Sequence, residues 1–209
     1  MLMQQPFCNI LVDPMPATVC VAGMDVPIYT DFRTGILFES LINDSTINDE
    51  EKAERAFRLY FAEKELSAIL EADAVAEATE ALVWFYSCGK TKRELARAAR
   101  TQQKTIQRRI YDFDVDAPLI YAAFLSQYHV DLQDVEELHW WKFSAMFSAL
   151  HDTHEISKIM GYRAVDLQSI KNKAERNRLS ILQAKYALPT NQSTEEKQRI
   201  AGAVFGGIR

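Results

Sequence analysis

Residues 110–163 read IYDFDVDAPLIYAAFLSQYHVDLQDVEELHWWKFSAMFSALHDTHEISKIMGYR and contain two of the three tryptophans. Between residues 135 and 150 the apolar side chains leave only a narrow polar strip at about 3.6 residues per turn. A helix that is apolar on nearly all sides is normally buried, so the pattern predicts a central helix over about 132–150. The predicted core residues are Phe124, Leu138, Trp141, Phe143, Met146, Phe147 and Leu150.

Around this helix the composition predicts a mainly α, single-domain helical bundle. The chain has 209 residues, of which 48% are hydrophobic and 25% charged, with only 7 Gly and 6 Pro. We expect one helical domain over 1–189, a basic connector at 90–109, and a weakly attached C-terminal helix at 190–209. Two β-branched runs within about 18–29 predict a small N-terminal hairpin with its turn at 23–25.

Capping residues mark several helix boundaries. Capping-box spacing occurs at Asn48 and Glu51, at Thr91 and Glu94, at Asn172 and Glu175, and at Ser193 and Glu196. Asp116 is predicted to cap a helix that has Pro118 in its first turn. Asp131 is predicted to cap the central helix, and Gly161 is predicted to end a short helix that begins after Asp152.

Another helix is predicted over about residues 31–43. Its inward-facing side chains are predicted to be Phe32, Ile36, Leu37 and Leu41. Gly35 lies inside this helix, where glycine costs about 1 kcal/mol relative to alanine, so the pattern alone gives no reason for it.

Two polar clusters have some features of metal sites, but neither completes the ligand pattern. Asp112, Asp114 and Asp116 alternate as in a calcium loop, but alanine occupies its sixth and twelfth positions. We interpret Asp116 as a helix cap and the other two as solvated carboxylates. His151 and His154 could share a helix face, but structural zinc sites normally take four ligands. We interpret this pair as a polar helix junction and expect no metal or cofactor.

His139, next to the tryptophan pair, could stack on a base or a ligand. We predict instead a core histidine whose ring nitrogens are hydrogen-bonded. The sequence contains none of the familiar serine-hydrolase, phosphate-loop, dinucleotide or zinc-protease motifs. No pair of carboxylates stands out as suited to acid–base work, so the protein is predicted not to be an enzyme.

The segment 90–109 carries eight basic residues and one acidic residue. The candidates for contacts with a partner or with phosphates are Arg97, Arg100, Lys104, Arg108 and Arg109. The segment has no aromatic residue for base stacking, and the sequence pI of about 5.5 is atypical of a nucleic-acid-binding protein. A nucleic-acid-binding regulator is therefore an alternative, and an arm that is solvated or pairs with acidic protein surface is the preferred interpretation.

Several blocks of the sequence resemble a family found in the tail gene clusters of long-tailed bacteriophages and prophages of Gram-positive bacteria, the phage gene-product-fifteen family. The blocks are TDFR at 30–33, YDFDVDAPLIYAAF at 111–124, YHVDL at 128–132, LHWWKFSAMFSAL at 138–150, KIMGYRAVDL at 158–167 and KYALP at 185–189. The WWKF and KIMGYR blocks are the specific ones. The departures lie in the basic segment and after Pro189.

The resemblance implies a role in tail morphogenesis without a catalytic residue or a cofactor. Genes of this family usually lie between those of the major tail protein and the tape-measure protein, where neighbours look like tail assembly chaperones. We therefore expect a chaperone that acts with the tape measure in the host cytoplasm. The alternative is a minor structural component of the virion. No apolar run reaches the roughly 18 residues of a membrane span, and the oligomeric state stays open.

Overall fold

The structure is a computed structural model that describes residues 8–91, 93–94, 96–97 and 109–189. The described residues form a two-stranded ribbon and eight helices, and residues 93–94 and 96–97 are also helical. The strands are β1 (Thr18–Val21) and β2 (Met24–Pro27); the helices are α1 (Phe32–Asn43), α2 (Asp49–Tyr60), α3 (Glu63–Glu71), α4 (Val75–Tyr86), α5 (Ala117–Tyr128), α6 (Trp140–Ser148), α7 (Glu155–Ala164) and α8 (Lys173–Lys185). The predicted mainly helical fold with an N-terminal hairpin is confirmed.

The ribbon is a tight antiparallel hairpin that rests on α4. Its turn consists of Ala22 and Gly23, one residue earlier than predicted. Both residues have positive φ, 49° and 76°, as a type I′ turn requires. The side chains of Val19 and Val21 are buried, and the backbone N–H of Ala22 donates to the carboxylate of Glu77 at 2.9 Å. Because a lone hairpin is marginally stable in water, the packing and the hydrogen bond to α4 stabilise the ribbon.

The central helix is shorter than predicted. It begins at Trp140, whereas residues 132–139 form turns and extended backbone, so the helix predicted over 132–139 was wrong. The cause is backbone hydrogen bonding between this segment and residues 30–32, at the start of α1. The N–H of Phe32 donates to the carbonyl of Leu138 at 2.8 Å, and that of Trp140 donates to the carbonyl of Thr30 at 2.7 Å.

The aspartate predicted to cap the central helix has another function. The carboxylate of Asp131 accepts the N–H of Gln133 at 2.9 Å and the hydroxyl of Tyr121 at 2.8 Å. It therefore closes a local turn and ties that turn to α5. The N-cap of α6 is His139, whose Nδ1 accepts the N–H of Trp141 at 3.1 Å.

The tryptophan pair joins α6 to the end of α4. The indole N–H of Trp140 donates to the carbonyl of Tyr86 at 2.8 Å, and that of Trp141 donates to the carbonyl of Phe85 at 2.7 Å. The last carbonyls of a helix lack a regular partner within it, and here the indoles add bonds to two of them. The carbonyl of Phe85 also accepts the N–H of Cys88 at 3.0 Å. Both rings are also buried and contribute apolar area.

A stack of phenylalanines extends this hub to two more helices. The ring of Phe143, fully buried, lies between those of Phe32 in α1 and Phe124 in α5, with centroid distances of 5.0 and 4.9 Å. The sequence-remote helices α1 and α5 therefore meet through a single residue of α6. A buried Phe of this kind stabilises by about 3–5 kcal/mol relative to alanine.

The inward face of α1 differs from the prediction. Phe38 is buried and Leu37 is 55% exposed, because α1 packs against α2 and α6 through a stripe spaced by three residues. Gly35 belongs to that stripe. A Cβ on Gly35 would lie 2.2 Å from Cε3 of Trp140, so only glycine permits the indole to pack this closely on the helix.

The predicted helix starts at Asn48 and Asn172 are confirmed by their N-cap bonds, and the pair Thr91 and Glu94 forms the complete capping box. The side chains of Asn48 and Asn172 each accept an N–H of the following turn, and Thr91 and Glu94 bond to each other reciprocally. Gly161 does not end its helix, since α7 continues to Ala164. The helix α3 was not predicted, because its N-cap is an alanine without a capping side chain. The capping box and helix predicted after residue 192 lie outside the described residues.

Candidate interaction surface

The predicted core residues lie in the interior. Five are buried, and Met146 and Leu150 are partly buried against the same cluster. The exposed fractions of the buried five are 0% for Phe124 and Phe143, 3% for Trp141, 8% for Leu138 and 9% for Phe147. The aromatic block therefore faces inward, and the surface available to a partner consists of other residues.

His139 is partly buried beside the core, and both of its ring nitrogens are hydrogen-bonded. Nδ1 accepts the N–H of Trp141, so it carries no proton, and Nε2 donates to the carbonyl of Pro16 at 3.1 Å. Burial lowers the pKa of His139 below 6.5, and nearby Lys142 acts in the same direction. The ring meets Phe85 edge-on at 5.6 Å. These contacts fit a neutral structural histidine.

Arg163, in the KIMGYR block, forms a buried polar node. Its guanidinium binds both oxygens of Asp116 at 2.6 and 3.0 Å. It also donates to the carbonyls of Ile110 at 3.1 Å and Tyr186 at 2.6 Å. The side chains of the ion pair are 7% and 3% exposed. One arginine thus ties the start of α5, the chain before it and the end of α8 to α7.

This node corrects the interpretation of the alternating aspartates. Asp116 makes no side-chain cap bond to its helix, because its carboxylate is turned inward toward Arg163. Asp112 is not a solvated carboxylate either, since it accepts the N–H groups of Asp114 and Val115 and pairs with Arg109. The carboxylates order the loop that precedes α5.

Arg33, in the TDFR block, forms a second and more open node. Its guanidinium donates to the carbonyls of Leu132 and Val135, both at 3.0 Å, and contacts Asp31 at 3.3 Å. Asp31 in turn accepts the N–H of Leu138 at 3.2 Å. The two side chains are 42% and 26% exposed. This node holds residues 132–138 in their non-helical path.

His151 and His154 lie at the junction between α6 and α7, with ring centroids 6.4 Å apart. The side chain of Gln127 bridges them, accepting the N–H of His151 and contacting Nε2 of His154, both at 2.9 Å. Its amide donates to the carbonyl of Ala149 at 3.1 Å. Among the described residues no group of three or more His, Cys, Asp or Glu side chains could hold a metal ion.

A polar cleft of about 350 Å³ lies between the end of α1 and the loop before α5. Glu39 lies at its inner end and accepts the hydroxyls of Tyr86 and, at 3.3 Å, Tyr111. Burial raises the pKa of Glu39, whereas the two hydroxyls lower it by hydrogen bonding. Active-site carboxylates share such shifts, but so do structural networks. Here the carboxylate links α1 to the end of α4 and to the chain before α5.

The predicted basic contacts are only partly within the described residues. Arg97 belongs to the described helical residues after Thr91, and Arg109 pairs with Asp112 at the mouth of the polar cleft. Arg100, Lys104 and Arg108 lie outside the described residues. The structure therefore does not bring these five side chains together as one described surface.

An apolar groove of about 310 Å³ lies between α1, α2 and α4. Buried Phe38, Phe57 and Leu82 form its floor. Its walls include Ile42 and Val83, which are 47% and 43% exposed. Most large apolar side chains near it are packed, so this groove is a place where apolar surface stays open to a partner.

A family model described as Bacteriophage Gp15 protein matches residues 11–188, which spans every described helix and strand. The chain belongs to the bacteriophage Gp15 protein family. Membership indicates a phage structural or morphogenesis protein. It also confirms the resemblance inferred from the sequence blocks.

The other comparisons add no relative beyond the Gp15 family. No curated protein and no solved structure matches the chain. Among the described residues no helix is long and apolar enough to cross a membrane.

The residues of the groove were not singled out by sequence reasoning. Ile42 and Val83 are apolar but lie outside the inward-facing stripes that helical periodicity assigns to their helices. Apolar residues outside the buried stripe were the only sequence feature that indicated an open apolar surface. A single exposed apolar residue is ordinary, and only the packing of three helices shows that these two share a groove.

Proposed function

We propose that this protein is a non-catalytic tail assembly chaperone that acts with the tape-measure protein of its phage. Membership in the Gp15 family supplies the phage context. The observation that carries the finer proposal is the open apolar groove between α1, α2 and α4. A chaperone needs such a surface, since it must cover apolar side chains of a partner and later release them.

The physical demand on such a chaperone follows from its partner. A long helical protein exposes apolar stripes until the tail tube encloses it, and such stripes promote aggregation. A groove of a few hundred cubic ångströms covers about two helical turns, so each contact is weak and can be displaced. The rigid aromatic hub supports this role by holding the helices that form the groove in fixed positions.

Co-expression with the tape-measure protein tests the proposal. We expect the tape measure to become more soluble and to co-purify with this protein. A tape measure that stays insoluble and does not co-purify would contradict the chaperone role. The control is co-expression with the major tail protein of the same phage, which is not expected to co-purify to the same extent.

Mass spectrometry of purified particles separates the chaperone from a minor virion component. A chaperone is expected to be absent from the mature particle or present far below one copy per tail. Detection at a fixed stoichiometry would favour a retained structural component instead.

A further inference from the structure

The apolar groove has the length and shape of a short helix-binding site. On α2 its lining runs from Asp49 to Phe57, about 12 Å at 1.5 Å per residue, which is slightly more than two turns. A partner helix of that length presents three or four anchors at i, i+3, i+4 and i+7. The floor is aromatic and buried, and the open walls remain accessible.

The surface around the groove is acidic. Residues 49–86, which contain α2, α3 and α4, carry ten acidic and four basic side chains, a formal charge of −6. The two charged residues that line the groove, Asp49 and Lys52, cancel formally, and Lys52 donates to the carbonyl of Ile42 at 2.8 Å. Arg55 and Arg58 pair with Glu51 and Glu54, so the excess of negative charge comes from the acidic residues around the groove. The groove therefore lies in a negative field that favours a basic partner.

We propose that this groove binds an amphipathic helix with an apolar stripe and lysine- or arginine-rich flanks, supplied by the tape-measure partner. This inference rests on the proposed chaperone function and specifies its surface. The apolar anchors enter between Ile42, Ala53 and Val83, and the basic flanks lie in the negative field of residues 49–86. Charge governs the encounter and the selection of the partner, whereas the anchors govern its retention.

Another apolar feature of the chain is a rival occupant. The turn at residues 9–13 is closed by three hydrogen bonds to Asn9, one to its side chain and two to its backbone carbonyl. It presents Leu11 and Val12, which are 86% and 77% exposed. A second copy of the chain could place this turn in the groove. Its flank carries Asp13, which matches the acidic surroundings poorly, so we assign the groove to the basic helix.

The test uses the full chain and two labelled synthetic helices of about 18 residues with the same leucine stripe. One peptide has lysine at every polar position and the other has glutamate. We expect the lysine peptide to bind, to weaken as salt rises from about 50 to about 500 mM, and to prefer the chain clearly over the glutamate peptide. Equal binding of the two peptides would overturn the assignment.

A matched pair of variants locates the binding. Ala53→Glu places a charge in the groove, and Ala76→Glu places the same charge on an exposed position of α4 that does not line it. Both add a negative charge, so electrostatics alone would tighten binding of the lysine peptide. We expect Ala53→Glu to weaken it by about tenfold or more, and Ala76→Glu to leave it unchanged or to tighten it slightly. Circular dichroism and the urea midpoint verify that both variants fold.

The outcomes separate this inference from the chaperone role. Co-purification of the tape measure with both the wild type and Ala53→Glu would overturn the groove assignment while the chaperone role stands. Failure of the wild type to retain the tape measure would contradict the chaperone role, whichever peptide binds. Self-association that is lost in both Ala53→Glu and Leu11→Ser would assign the groove to a second copy and overturn the inference.

Discussion

Two short regions, one in α1 and one in α7, each place a glycine and an arginine two residues apart, with opposite burial. In α1, Arg33 is partly exposed and Gly35 is buried against the indole of Trp140. In α7, Arg163 is buried, and a Cβ on Gly161 would meet nothing within 4 Å. The same residue types therefore have different constraints: α1 requires its glycine, and α7 requires its arginine.

Burial explains the difference. Arg163 and Asp116 are both shielded from water, so removing one partner leaves a charge without solvent or a counterion. Arg33 keeps access to water, so its attraction to Asp31 is screened. Its contribution to stability therefore comes mainly from its hydrogen bonds to the carbonyls of Leu132 and Val135. The two arginines therefore differ several-fold in the stabilising free energy that we expect from them, although each lies two residues from a glycine.

The largest expected effect is that of Arg163→Met. It leaves Asp116 buried and unpaired, so we expect the free energy of unfolding to fall by about 3–5 kcal/mol. Urea denaturation followed by tryptophan fluorescence measures it, because all three tryptophans are buried. The double variant with Asp116→Leu should recover part of the loss. If Arg163→Met were as stable as the wild type, burial would not explain the difference between Arg163 and Arg33.

Gly35→Ala tests the reverse dependence in α1. Alanine normally favours a helix interior by about 1 kcal/mol, but here its Cβ overlaps the ring of Trp140. We expect a net destabilisation of about 1–3 kcal/mol, measured by thermal and urea unfolding. Gly161→Ala is the matched control, since it is expected to stabilise by about 0.5–1 kcal/mol. Effects of the same sign at both glycines would refute this explanation.

Arg33→Ala should cost less than the change at Arg163. It removes two hydrogen bonds to carbonyls from a partly exposed side chain, so we expect a loss of about 1 kcal/mol in the free energy of unfolding. Hydrogen exchange should quicken mainly in residues 132–138. Arg33→Lys retains the charge but lacks the fork that spans both carbonyls, and is expected to rescue only part of the protection. Full rescue would show that charge, not geometry, matters here.

The smallest expected effect is a pH dependence of stability caused by His139, the N-cap of α6. Burial holds the pKa of His139 below its ordinary value of 6.5, so the unfolded chain binds this proton more readily than the folded chain. Stability from the neutral ring is complete above about pH 6.5 and declines as pH falls toward the lower folded value. His139→Asn keeps an acceptor for the Trp141 N–H but cannot titrate. Its stability difference from the wild type should change across this window, and a constant difference would contradict the assignment.

Short-range signals in the sequence predicted much of the scaffold. The capping residues Asn48 and Asn172 mark helix starts, because such bonds join groups within three residues. The apolar block around Trp140, Trp141 and Phe143 identified the core, because burial follows from composition. The family could also be predicted, because the sequence blocks that resemble it lie within residues 11–188, which the family model matches.

The sequence by itself determined the helical class, the hairpin and the buried aromatic block at 138–150, all of which depend on residues close together in the chain. Tertiary structure decided where α6 begins, which way Asp116 faces and where apolar surface stays open. Arg33, for example, binds carbonyls 99 and 102 residues away and thereby keeps 132–138 from continuing the helix that its periodicity favours. Local preference amounts to tenths of a kilocalorie per residue, so a few long-range bonds and one buried ion pair outweigh it.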